Sequence, residues 1–179
     1  MFAAAIEYLE KLINTVDPKV GVYLAIDGVA PVAKMKQQRS RRFMSVHEKV
    51  IHDQVRAKHG RDTSSIWSNS SITPGTSFME RLHNTILEWC EKAREGTPTR
   101  AIIYSSCKSE GEGEHKLLNF IRENKAKGEV YHYVIYGLDA DLIFLSLAAS
   151  VPKIFLLRES MQVGVYHIYH ILEAIQEDI

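Results

Sequence analysis

Four short apolar runs, set among stretches with helical spacing, constrain this chain more than any other feature. "VGVYLAI" (20–26), "AIIYSS" (101–106), "VYHYVIY" (130–136) and "KIFLLRE" (153–159) read as strands, the first as a strand buried on both faces and the fourth as the last clear strand. Phe2, Ile6, Leu9 and Ile13 repeat at helical spacing until Asp17-Pro18 ends the helix. A second helical region runs to about Lys58, and residues 59–74, rich in Ser, Thr, Gly and Asp, read as a loop. A third helix starts near Thr76 with Phe78, Leu82, Ile86 and Trp89 as its apolar core stripe. "EGEHKLLNFIREN", "ADLIFLSLAA" and the closing "HIYHILEAIQEDI" read as further helices. Strands alternating with helices imply βαβ units and a mostly parallel sheet flanked by helices. The chain has 179 residues without a repeat, low-complexity tract or linker, so one α/β domain over 1–179 is expected.

Sheets of this kind bind ligands at the carboxyl ends of their strands. Asp27 follows the first strand, Glu112 and Glu114 follow the second, and Asp139 and Asp141 follow the third. Any one of these acids could be a helix cap. Five of them at one sheet edge would repel one another unless cations sat between them. Oxygen ligands suit Mg²⁺ or Mn²⁺, and a pair of such ions about 4 Å apart can activate water and stabilise the leaving oxygen of a phosphodiester.

Next to Asp27 lies a basic segment, "AIDGVAPVAKMKQQRSRRF" (25–43). Lys34, Lys36, Arg39, Arg41 and Arg42 follow the acid, and no further acid occurs until Glu48. Lys+Arg and Asp+Glu both total 22, so attraction to a polyanion must come from such a local patch. A helix start exposes N–H groups that favour anions, Arg41 and Arg42 bring forked donors, and Lys34 brings a point charge. A solvated helix face is the plain alternative, but the position beside the acids favours a phosphate pocket.

Competing motifs fail. Gly111-Glu112-Gly113 begins a GxGxxG that ends in Lys116, with two glutamates facing any pyrophosphate. His47-Glu48 and His52 have one residue too many for HExxH. His167 and His170, although a helix would put them on one face, lack a third ligand. Cys90 and Cys107 offer neither a disulfide framework nor zinc spacing, and no Ser or Cys has a nucleophile's setting. The first residues carry Glu7, Glu10 and Lys11, which fits neither a leader nor a membrane span. An intracellular protein is expected.

"AIDGVAPVAKMKQQRSRRF", "NSSITPGTSFM", "EGEGEHK", "YGLDADLIFLSL" and "FLLRE" together resemble signature blocks of the Xrn family of 5'-3' exoribonucleases, in the family's order. The resemblance implies a PIN/FEN-like nuclease core and Mg²⁺-dependent stepwise removal of nucleotides from single-stranded RNA bearing a 5'-monophosphate, in the cytoplasm or nucleus. It puts Asp27, Glu112, Glu114, Asp139 and Asp141 on the family's metal-site acids, and Lys34, Gln38, Arg41 and Arg42 on its 5'-phosphate pocket. Val32 stands where the family usually has Arg, Lys36 where Asn is usual, and Glu110 where Pro is common. It also leads one to expect a piece of the catalytic domain that lacks the family's first strand, with a missing segment or partner chain completing the sheet. The alternative function is that of a catalytically impaired RNA-binding fragment or paralogue.

Overall fold

A computed structural model describes residues 1–61, 69–96, 100–159 and 166–170. Helix α1 (Phe2–Val16) ends as its sequence requires. Asp17 adopts a left-handed backbone conformation (φ 48°) that aspartate tolerates better than most residues, and Pro18 cannot continue the helix. The chain forms two compact units, Met1–Leu9 with Lys19–Glu112, and Glu10–Pro18 with Gly113–Ile179.

In the first unit, β1 (Gly21–Ala25) pairs in parallel with β2 (Ala101–Ser105), from Gly21 opposite Ala101 to Ala25 opposite Ser105. A Cβ on Gly21 would lie 2.7 Å from the Ala101 carbonyl oxygen, so this close approach requires glycine. β1 is half-buried along its length, less covered than its apolar run suggests, because a two-stranded sheet has an edge on each side. Between the strands lie α2 (Val32–Lys58), a 3₁₀ turn (Asn69–Ser71) and α3 (Ser77–Gly96). The Thr76 hydroxyl accepts from the Met79 N–H at 3.3 Å and so caps α3.

The buried face of α3 differs from the expected stripe. Phe78, Leu82, Ile86 and Trp89 are only partly buried, whereas Met79, His83 and Cys90 are enclosed. Polar anchors to β2 rotate the helix: His83 Nδ1 lies 3.2 Å from the Tyr104 hydroxyl, and Arg94 donates to the Ile102 carbonyl at 2.7 Å. Phe78 meets Phe2 instead, with ring centroids 5.0 Å apart. Burial pushes the Tyr104 phenol and the Cys90 thiol above their ordinary pKa values.

In the second unit, β3 (Tyr133–Tyr136) and β4 (Ile154–Glu159) pair in parallel, and β5 (Tyr166–His170) pairs antiparallel with β4. Helices α4 (Gly113–Ala126) and α5 (Asp141–Ala148) belong to this unit. Leu118 and Ile121 of α4, Leu142 of α5, and Ile135, Ile154 and Leu156 of the strands form one core with Ala149. A further strand thus follows β4, and the expected closing helix is strand over its first residues. The ladder from Phe155–His170 to Glu159–Tyr166 supplies the backbone partners, and Tyr166, Ile168 and Tyr169 are residue types that favour strands. The remainder of that expectation, residues 171–179, lies outside the described residues, as does 62–68 of the expected loop. Among the described residues, no helix is long and apolar enough to cross a membrane.

The architecture is therefore mixed α/β with mainly parallel strand pairing, as the sequence leads one to expect.

Candidate active site

Backbone pairing continues past the ends of β1 and β2. Ile26 donates to the Ser105 carbonyl at 3.0 Å, Gly28 to Gly111 at 2.8 Å, and Gly111 to Val29 at 3.0 Å. Asp27 and Glu112 adjoin Gly28 and Gly111, so the same backbone links hold both acidic positions at the ends of this sheet. The approach is tight. A Cβ on Gly28 would sit 1.7 Å from the Ser109 carbonyl oxygen, and Gly111 holds φ +93°.

Glu112 directly precedes α4, and Glu114 lies in its first turn. Negative charge is stabilised there by the helix dipole. One ligand atom each of Glu112, Glu114 and His115 lie within 4.8 Å of one another. Such a set of carboxylate and imidazole donors fits a divalent cation with oxygen-rich coordination. The electrostatics agree, because the Glu112 side chain is 11% exposed and a carboxylate so enclosed needs a positive partner. Lys34 is one such partner, its Nζ 2.7 Å from Glu112 Oε2.

Lys34 reaches Glu112 from the first turn of α2, which begins after Pro31 and carries no acid in that turn. One residue of the expected phosphate set thus meets one of the expected metal set. Further along α2, Arg42 donates to Gln38 Oε1 at 3.3 Å, the i, i+4 spacing of one helix face. Arg39, Arg41 and Lys36 are exposed on the same helix.

Asp139 and Asp141 belong to the second unit, where they follow β3 and open α5. Asp139 Oδ1 accepts from the Asp141 N–H at 3.1 Å, and both residues are exposed. Arg158 of β4 donates to the carbonyl of Leu138, and Gly137 donates to that of Leu157 at 3.3 Å, tying the acid-bearing loop to its neighbouring strand.

His115 and Arg158 are absent from the residues picked out by sequence. His115 follows Glu114 directly, and an imidazole beside two acids was its signal. Nothing local marks Arg158, whose partner lies 20 residues away.

A family model described as "XRN 5'-3' exonuclease N-terminus" matches residues 1–160. The chain is 38% identical over 180 residues to the protein of Candida glabrata named 5'-3' exoribonuclease 2, covering 90% of this chain and 18% of that one. It is 37% identical over 180 residues to 5'-3' exoribonuclease 2 of Saccharomyces cerevisiae, with the same two coverages. To 5'-3' exoribonuclease 1 of the same yeast it is 40% identical over 172 residues, covering 92% of this chain and 11% of the relative. The chain therefore spans less than a fifth of the length of these relatives. The match extends from α1 through β4 and takes in the loops that carry Asp27, Glu112, Glu114, Asp139 and Asp141, so the chain belongs to the XRN 5'-3' exonuclease family.

Proposed function

We propose that this chain carries the nuclease site of a 5'-3' exoribonuclease that uses divalent cations, magnesium or manganese, and acts on single-stranded RNA with a 5'-monophosphate, in the cytoplasm or nucleus. The observation that carries this reading is the junction of two chemistries at Glu112. A group of carboxylate and imidazole ligands gathers there, and a lysine from the basic helix stands 2.7 Å away. Family membership supports it, since the relatives are named as 5'-3' exoribonucleases.

Asp27, Glu112, Glu114, Asp139 and Asp141 would hold the cations. A bound divalent cation supplies positive charge for the oxygens on which charge develops as a phosphodiester breaks. Lys34, Gln38, Arg41 and Arg42 would grip the terminal phosphate, the arginines through paired N–H donors and the lysine as a point charge. Holding that phosphate fixes which linkage enters the site, so one nucleotide leaves per cut.

The test compares RNAs that differ only at the 5' end. Labelled RNA with a 5'-monophosphate should bind roughly ten- to a hundredfold more tightly than its 5'-hydroxyl counterpart, the worth of one charge-assisted contact. Arg41→Ala should shrink that difference. Release of mononucleotides should require Mg²⁺ or Mn²⁺ and should vanish when Asp139→Ala and Asp141→Ala are combined. Equal binding of the two RNAs would sink the phosphate pocket, and cation-independent cleavage would sink the metal site.

A further inference from the structure

Lys34 and Glu112 hold each other at 2.7 Å, yet the nuclease reading gives them different tasks. Glu112 is to hold a cation and Lys34 a phosphate. An ammonium on Glu112 Oε2 neutralises charge that a divalent ion would use. The contact is therefore in competition with both ligands.

We infer that Lys34 exchanges partners between Glu112 and the terminal phosphate, and that this exchange couples cation binding to recognition of the RNA 5' end. The inference rests on the nuclease reading of the site and adds its regulation. When a divalent ion takes Glu112, the ammonium gives up that contact and can turn to a phosphate. When a phosphate draws Lys34 away, Glu112 loses a positive charge at 2.7 Å, and its carboxylate, only 11% exposed, attracts another cation more strongly. Each ligand thus favours the other, and by linkage the two factors are equal.

The geometry permits the exchange. Lys34 sits in the first turn of a helix, on a flexible four-carbon stem, with its side chain 38% exposed. Glu112 is anchored instead, between the Gly28–Gly111 backbone bond and the start of α4. One partner is placed to swing and the other to stay. The device would keep the phosphate grip weak until a cation is in place, so that an RNA end is held firmly only by a site able to cut it.

Calorimetric titration of Mn²⁺ into the full chain tests this, with RNA whose phosphorothioate linkages resist cleavage and whose 5' end is either a monophosphate or a hydroxyl. The monophosphate RNA should tighten Mn²⁺ binding about fivefold or more beyond any effect of the hydroxyl RNA. In Lys34→Met, which keeps most of the apolar stem, that difference should disappear, and Mn²⁺ should bind the RNA-free protein more tightly than in the wild type. The wild-type comparison stands even if the variant fails to fold. Equal Mn²⁺ affinity with both RNAs, in a protein that binds Mn²⁺ and prefers the 5'-monophosphate, would overturn the coupling and leave the nuclease site standing. Absence of Mn²⁺ binding, or of any 5'-monophosphate preference, would overturn the site and the coupling together.

Discussion

Gly28 shows how narrowly a single residue can govern this site. A methyl group there would meet the Ser109 carbonyl oxygen at 1.7 Å and its carbon at 2.8 Å, both backbone atoms that cannot swing aside. Gly28→Ala should therefore cost about 1–3 kcal/mol. It should also weaken Mn²⁺ binding, because the shifted backbone carries the Gly28–Gly111 bond that anchors Glu112. Thermal melting and Mn²⁺ titration check the two effects, and unchanged values in both would show that the loops yield freely. Ser146 offers the opposite case. Its hydroxyl is buried, the residue is 2% exposed, and it has no hydrogen-bond partner among the described residues. Ser146→Ala should stabilise the protein by about 1 kcal/mol, since the cost of an unsatisfied buried hydroxyl is removed. That corresponds to a rise of roughly 2–4 °C in melting temperature, and a fall would mean that the hydroxyl has a partner. At this scale the acids and bases of the candidate site were legible, because charge at strand ends and helix starts is written in residue type. The need for glycine at 28 was not, because it depends on a carbonyl 81 positions further along the chain.

Among the elements, α2 is the least typical. It runs for 27 residues with none buried, and its first half concentrates Lys34, Lys36, Arg39, Arg41 and Arg42. Single-stranded RNA that contacts three to five of these cations should show a log–log salt slope of about −2 to −3.5. Combining Lys36→Ala with Arg39→Ala should flatten the slope by about 1.4, as two phosphate contacts are lost. Affinity measured across a salt series decides this, and an unchanged slope would remove those two residues from the RNA path. Helix α1 was readable from its apolar spacing and from Asp17-Pro18, and α2, α4 and α5 as segments set between strands. The buried face of α3 was not, because His83–Tyr104 and Arg94–Ile102 are polar contacts that hydrophobic spacing does not register. β5 was misread as helix for a related reason, since its backbone partners lie on β4 and local spacing does not name them.

For the whole molecule, the balance of 22 basic and 22 acidic residues leaves any pull on RNA to the local field of α2, which is why the salt series above reads that helix and not a global charge. The two compact units each have a sheet of their own, Asp27 and Glu112 lying in one and Asp139 and Asp141 in the other. What the sequence determined by itself was the order of strands and helices from α1 to β4, the acids that follow the strands, the basic turn of α2 and the family to which all of these belong. Apolar periodicity and residue chemistry are properties of a segment and can be read along it. Only the tertiary structure decided that Lys34 would meet Glu112 across 78 residues, that Gly28 would lie against Ser109, and that α3 would turn His83 inward. Those contacts follow from the parallel register of β1 on β2 and from the backbone bonds that extend it, and such a register acquires its energy only when distant segments are already side by side.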